Sequence, residues 1–307
     1  MNKVKLISKI RSILRPLVAA LLHGYLWLMT SRPAVALHKS LCAPDTAKWR
    51  WETERLGNYD KVCVFVTYAP GGQIPERAIQ HASIWRSEGY VVLFVVALDD
   101  FSVRPVIPFG HAICRENIGH DFAAWSRALA EIPLGETEVL ATVNDSVYAS
   151  PSLVNSIRDA EKSDADMVGF TENHEGRWHM QSYAVIFKEP CINSAAFADF
   201  WRPRLGSRRQ VIWTYEVQMA GSMARDGFKV EALYPIESRL NPTHFHWPEL
   251  LNLGFPYLKR SSLPRRYDEW YALFARYGFD ANLIANDRPP EATQPRWKRY
   301  LGWLIEE

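Results

Sequence analysis

The 307 residues are 48% hydrophobic and 23% charged, ample apolar material for one large α/β domain with appendages. The formal charge of +2 is unevenly spread: residues 1–50 hold nine Lys/Arg and one acid, so the rest is net acidic, which argues against a nucleic-acid surface. Four cysteines, Cys42, Cys63, Cys114 and Cys191, without any C-x-x-C pair, exclude a zinc site or disulfide framework and read as buried thiols in a reducing compartment.

The N-terminus opens on a basic amphipathic pattern. Lys3, Lys5, Lys9, Arg11 and Arg15 alternate with Val4, Leu6, Ile7, Ile10, Ile13 and Leu14, as in helices that lie on a membrane surface. The uncharged stretch Leu17–Ser31 that follows contains His23 and Gly24 and is shorter than the ~20 apolar residues of a spanning helix. Residues 1–50 are therefore expected to associate with the cytoplasmic leaflet; a helix docked on the domain is the alternative.

From Tyr59 the pattern becomes βαβ-like. Lys61–Tyr68 is apolar at nearly every position, the mark of a strand buried on both faces. A Pro-Gly-Gly turn leads to a helix over Pro75–Ser87, then a strand over Tyr90–Leu98 ending in Asp99-Asp100, and a short strand over Ala112–Arg115. A helix follows with Asp121 as its expected N-cap. Strands at 140–147, 167–170 and 182–187, with a helix from Leu153 to Ala160, extend the alternation. Such alternation predicts an α/β fold: a doubly wound, mainly parallel sheet with helices on both faces.

Ligands of such sheets sit beyond the carboxyl ends of the strands. Those ends carry Thr67, Tyr68, Asp99 and the turn Asn144-Asp145-Ser146. The dinucleotide fingerprint and the P-loop are both absent from the sequence, so diphosphate bound here needs another counter-charge. Asp145 beside two further oxygen donors suits Mg²⁺ or Mn²⁺; an Asx-turn that merely ends the strand explains the same residues. Asp99 is placed to accept hydrogen bonds from a base or ribose, and Arg115 is the one obvious cation near the strand ends. Further on, Glu216 precedes a helix carrying Val217, Ala220 and Ala224. It reads either as a first-turn acid favoured by the helix dipole or as a general base for an acceptor hydroxyl.

Several stretches in order resemble the rhamnan synthesis protein F family of polysaccharide glycosyltransferases: Arg115–Trp125, Val143–Tyr148, His179–Tyr183, Phe197–Trp201, Tyr215-Glu216, Asn241–His244 and Gly254–Lys259. The resemblance implies a GT-A-like nucleotide-sugar fold over 58–260, with 261–307 as a helical, basic-aromatic extension. It implies Asp145 and His244 (with His246 competing) as metal ligands, and Glu216 as the base. Thr67, Tyr68, Asp99, Arg115, Asn117, Asp121, Asn144 and Ser146 fall on the donor side, and His179, Gln181 and Ser182 in the loop between donor and acceptor. The implied reaction moves L-rhamnose from dTDP-L-rhamnose to a lipid-linked polysaccharide such as O-antigen, with inversion, peripherally on the cytoplasmic face of the inner membrane. Two other classes fit the residues: a non-catalytic glycan- or carrier-binding subunit, and a nucleotidyl- or phosphotransferase. Trp247, Tyr257, Lys259, Arg260, Arg265, Arg266, Trp297, Lys298, Arg299 and Trp303 read equally as an interfacial patch or as a solvated tail with a few packed rings.

Overall fold

The computed structural model describes residues 20–21, 24–25, 27–29, 31–174, 177–238, 241–263 and 270–287. The basic pattern over Lys3–Leu14, and Arg265, Arg266 and Trp297–Trp303, lie outside them. No helix among the described residues is long and apolar enough to cross a membrane.

The core is an eight-stranded sheet. In chain order its strands are β1 (Trp49–Trp51), β2 (Lys61–Tyr68), β3 (Val91–Leu98), β4 (His111–Glu116), β5 (Val139–Asn144), β7 (Met167–Gly169), β8 (Ala184–Lys188) and β9 (Val230–Ala232); β6 (Val147–Ala149) lies outside it. The spatial order is β9-β7-β8-β5-β2-β3-β4-β1. Neighbours β5, β2, β3 and β4 run parallel, as do β7 and β9. Strand β8 runs antiparallel between β5 and β7, and β1 antiparallel on the β4 edge. The sheet is thus mainly parallel with one reversed inner strand.

Both faces are covered, which explains the unbroken apolarity of β2. Its Cys63 and Phe65 point into a core with Ala78, Ala82 and Trp85 of helix α2 (Glu76–Ser87) and Leu153, Ile157 and Ala160 of α4 (Leu153–Lys162). Its Val62, Val64 and Val66 point the other way, against Phe122, Trp125 and Leu129 of α3 (His120–Glu131) and Met219, Ala220 and Met223 of α5 (Val217–Arg225). Buried Trp125 crosses from α3 to the sheet and donates its indole N–H to the carbonyls of Val64 and Val143, 3.2 Å each. A third cluster joins Tyr148, Leu258, Phe274, Phe279 and Ile284 behind the two-stranded pairing of β6 with β10 (Tyr257–Lys259). An earlier helix, α1 (Arg32–Leu41), packs on the segment Ile212–Glu216. All four cysteines are free and buried.

Four expectations are modified. The strand read over 140–147 breaks at Asp145-Ser146, where the chain turns into β6, so these residues face the ligand edge from a turn. Trp49–Trp51 and the pairing of Ala43-Pro44 with Arg204-Leu205 tie part of the N-terminal 50 residues into the domain. Buried Tyr257 and half-buried Trp247, which rests on Trp270, are core rings and not an interfacial patch. Asp121 does not cap α3: the left-handed pair Gly119 (φ 83°) and His120 (φ 59°) starts that helix.

A Cβ on Gly119 would lie 2.7 Å from both Ala123 Cβ and Leu205 Cδ2. Gly119→Ala is therefore expected to destabilise the domain by about 1–3 kcal/mol through strain and overpacking, measured as a lowered midpoint of thermal unfolding.

Candidate active site

Register builds the site. Val66 pairs with Asn144, so the next residues, Thr67 and Asp145, meet at the carboxyl edge. Leu98 pairs with Glu116, which brings Asp99 beside Asn117. Reversed β8 begins where its parallel neighbours end: Ala184 pairs with Val143, the amide of Asn144 donates to the carbonyl of Tyr183 at 3.0 Å, and Ser182 and Gln181 lie at the same edge.

Glu216 arrives from a helix that is already running at Arg208 and passes through a π-helical turn over Ile212–Glu216. The acid is therefore inside a continuous helical stretch, and the first-turn dipole explanation does not apply. Such turns insert an extra residue and recur at functional sites. Here the insertion aims Glu216 at Ser182, whose hydroxyl donates to Oε1 at 3.0 Å.

Three carboxylates meet at this edge. Asp121 accepts from Asn144 Nδ2 at 2.8 Å. Burial, then the negative charges of Asp145 and Glu216, push its proton affinity up to about 7, against the Asn144 hydrogen bond and the Arg208 charge. Asn144 is held by its other end, since Oδ1 accepts from the amide (3.1 Å) and hydroxyl (2.6 Å) of Ser146. His179 lies beside Glu216, with Nδ1 2.8 Å from the Arg177 carbonyl; burial pushes its imidazole below the ordinary value, against the pull of Glu216. Lys259 Nζ donates to Gln181 Oε1 at 3.3 Å.

Asp145 has a partner that sequence reasoning missed. Arg77 on α2, only 6% exposed, donates Nη2 to Asp145 Oδ2 at 2.9 Å and Nε to its carbonyl at 3.1 Å, while Thr67 donates to the same carboxylate oxygen at 2.8 Å. Arg77 Nη1 reaches Asp287 Oδ1 at 2.6 Å. Asp287 also receives the Tyr148 hydroxyl at 2.9 Å and lies 3.2 Å from Arg260 Nε. The available signal was Arg77 itself, a charge at the helical spacing of His81 and Trp85 on the buried face of α2. Asp287 offered none.

These donors, as arranged, do not fit a divalent cation. Asp145 is paired with arginine, Asn144 Oδ1 is taken by Ser146, His244 Nδ1 meets Ser262 at 2.8 Å, and His246 is held between Ser238 and Glu249. Among the described residues, no three His, Cys, Asp or Glu side chains are grouped as an ion requires. The positive charge beside Asp145 is Arg77.

Two other expectations change. Arg115 is not at the ligand edge but buried in a structural clamp, its guanidinium 3.2 Å and 3.3 Å from the Asp45 oxygens and 2.8 Å from the Ile118 carbonyl. Tyr68, Asp99 and Asn117 form a separate exposed group, in which Asp99 accepts from Tyr68 at 2.6 Å and Asn117 at 3.1 Å; those two hydrogen bonds hold its carboxyl below the usual range.

An open α/β sheet with polar groups gathered at its carboxyl edge is the architecture of proteins that receive a ligand there. Within that class, residues 108–276 match the family model "Rhamnan synthesis protein F", and the chain belongs to this family. Virulence protein VirA of Vibrio anguillarum is 25% identical over 199 residues, 51% of this chain and 64% of the relative; the chain thus spans less than two thirds of that relative's length. Among solved structures, a putative glucose-1-phosphate thymidylyltransferase from Bacillus anthracis is similar at TM-score 0.38 and 6% identity, over 58% of this chain and 87% of that one. A glycosyltransferase involved in glycosylation of the major capsid of PBCV-1 gives TM-score 0.32 and 12% identity, over 64% and 93%.

Two outcomes follow from the buried charges. Asp121 holds its proton more tightly when folded than its ordinary value of 3.8, so its linkage favours the fold at low pH. That contribution is lost as pH rises from about 4 through 7, up to about 4 kcal/mol in all. Asp121→Asn should remove this part of the pH dependence in denaturant unfolding measured across pH 4–8. Arg77→Met leaves half-buried Asp145 without its cation and Asp287 with Arg260 alone among the described residues, and an expected loss of about 3–5 kcal/mol is read from the same curves.

Proposed function

We propose that this chain is a glycosyltransferase that moves a sugar from a nucleotide-sugar donor to a hydroxyl of a cell-surface polysaccharide precursor. The observation that carries the reading is Glu216, aimed by a π-turn and held by Ser182 at the carboxyl edge beside Asp121 and Asp145, in a member of the rhamnan synthesis family. The donor that the family suggests is dTDP-L-rhamnose. The acceptor is a lipid-linked chain such as an O-antigen precursor, met at the cytoplasmic face of the inner membrane.

Glu216 takes the proton of the acceptor hydroxyl as its oxygen attacks the anomeric carbon. The bond from that carbon to the diphosphate oxygen breaks, and its electron pair leaves with the nucleoside diphosphate. One displacement inverts the centre, so a β-linked donor yields an α-rhamnoside. Arg77, Arg260 and Lys259 bring positive charge close to this edge, where charge grows on the leaving group. Ser182 orients the carboxylate, and half-buried Asp145 and Ser146 lie at the same edge. Asp121, poised near neutrality, keeps the acid cluster from bearing three full charges.

The pairing of Asp145 with Arg77 favours one alternative, a non-catalytic subunit that binds glycan or carrier through a degenerate nucleotide site. Glu216→Gln decides between them. Turnover of dTDP-L-rhamnose should fall ~10²–10⁴-fold while calorimetric affinity for dTDP is unchanged. Wild-type protein that binds dTDP but forms no glycoside would overturn the transferase reading. Chelation of divalent cations should leave dTDP binding intact, and a strict Mn²⁺ requirement would show that a metal displaces Arg77 from Asp145.

A further inference from the structure

An open cavity of about 320 Å³ is lined by Arg32, Val35, Ala36 and Lys39 of α1, Arg177, and Gln218 and Arg225 of α5. The spacing of the four α1 residues places them on one face of that helix, and Gln218 and Arg225 lie two turns apart on α5. Gly221 between them leaves room for the Arg225 guanidinium, which would approach a Cβ there to 3.5 Å. Four cationic side chains surround the space, and no acid lines it.

Their partners are few. Among the described residues none of the four cations forms an ion pair; Arg225 donates to Ser222 at 2.8 Å, and the Arg177 guanidinium lies 5.7 Å from the centre of the Trp27 ring. Two buried donors of the lining, Arg177 Nε and Gln218 Nε2, have no hydrogen-bond acceptor. Buried donors without acceptors are costly, and four cations with no acid among them, three of them (Arg32, Lys39 and Arg225) exposed to solvent, leave the space strongly positive. A multivalent oxyanion relieves both.

Apolar surface adjoins the charge. Trp27 is 54% exposed and Leu28 60% exposed, with Leu21 and Tyr25 also exposed on the same segment. Arg177 joins the cavity to Trp27 on this side. On the other side, the Arg177 carbonyl contacts His179, and Gln218 follows Glu216 by two residues.

We infer that this cavity receives the phosphate head of an amphiphile, a phosphomonoester or diphosphate borne on an apolar chain that lies over Trp27 and Leu28. This deepens the proposed function and rests on it for its role: the amphiphile is the carrier of the acceptor, held so that the attached glycan reaches Glu216. The ligand chemistry itself rests on the cavity alone.

Calorimetry of the full chain with farnesyl diphosphate, inorganic pyrophosphate, farnesol and dTDP tests it. Farnesyl diphosphate should bind at least ~10-fold tighter than pyrophosphate or farnesol, and Arg177→Gln and Arg225→Gln should each weaken it ~10-fold or more, the worth of a charge-assisted hydrogen bond, with dTDP binding unchanged. Pyrophosphate binding as tightly as the prenyl compound would mean a site for a free anion and overturn the amphiphile. So would farnesyl diphosphate binding that ignores both substitutions. Intact dTDP binding alongside either result leaves the transferase reading standing, whereas loss of dTDP binding alone removes that reading and keeps the cavity assignment.

Discussion

The guanidinium of Arg77 holds together parts of the molecule that the sheet alone would leave independent. It sits on α2, buried, and touches the turn after β5 through both the carbonyl and the carboxylate of Asp145, then reaches Asp287 at the far end of the described chain. Burying such a charge is tolerated only where geometry and hydrogen bonds offset its lost hydration, and here all three nitrogens have oxygen partners. Tyr148 and Arg260 close the arrangement on Asp287. The small apolar cluster of Phe274, Phe279 and Ile284 is thereby fastened to the carboxyl edge, and the position of Asp145 is set from behind by a helix as well as by its own turn.

The reversal of β8 has a comparable consequence for chemistry. In a wholly parallel sheet every carboxyl edge is built from strand ends. Here one neighbour contributes its beginning, so Gln181 and Ser182 stand beside Asn144 and Asp145 although they precede their strand. Ser182 then meets Glu216, and Lys259 meets Gln181. The groups brought by β2 and β5 and those brought by β8 and α5 belong to separate structures that share the acid cluster.

Continuous apolarity made the central strands legible because both faces of the sheet are covered. Lys61–Tyr68 was bounded correctly from its sequence, and the polar residues ending the strands do gather at one edge. What escaped depends on partners remote in sequence. Arg115 looked like a phosphate-binding cation, yet its partner is Asp45, brought alongside by the antiparallel edge strand. Asp121 had the composition of an N-cap, but the left-handed Gly119–His120 pair opens the helix and leaves the carboxylate to Asn144. The π-turn before Glu216 has no signature in hydrophobic spacing, which is why a continuous helix read as one that starts near that acid. Arg77 was visible as a charge on a buried helix face, and only the fold supplies the two carboxylates that explain it.

Charge is segregated across the helical stretch that carries Glu216. Its beginning faces the carboxylates of Asp121 and Asp145, while Gln218 and Arg225 turn toward the basic cavity under α1. An acceptor with a phosphate at one end and a hydroxyl at the other fits this division. Its phosphate is drawn to the four cations of the cavity, so the encounter that brings the hydroxyl to Glu216 is the favoured one. On the proposed reading, orientation of the acceptor follows from this division of charge before any sugar-specific contact forms, and sugar selectivity is left to the groups around Asp145 and Ser146.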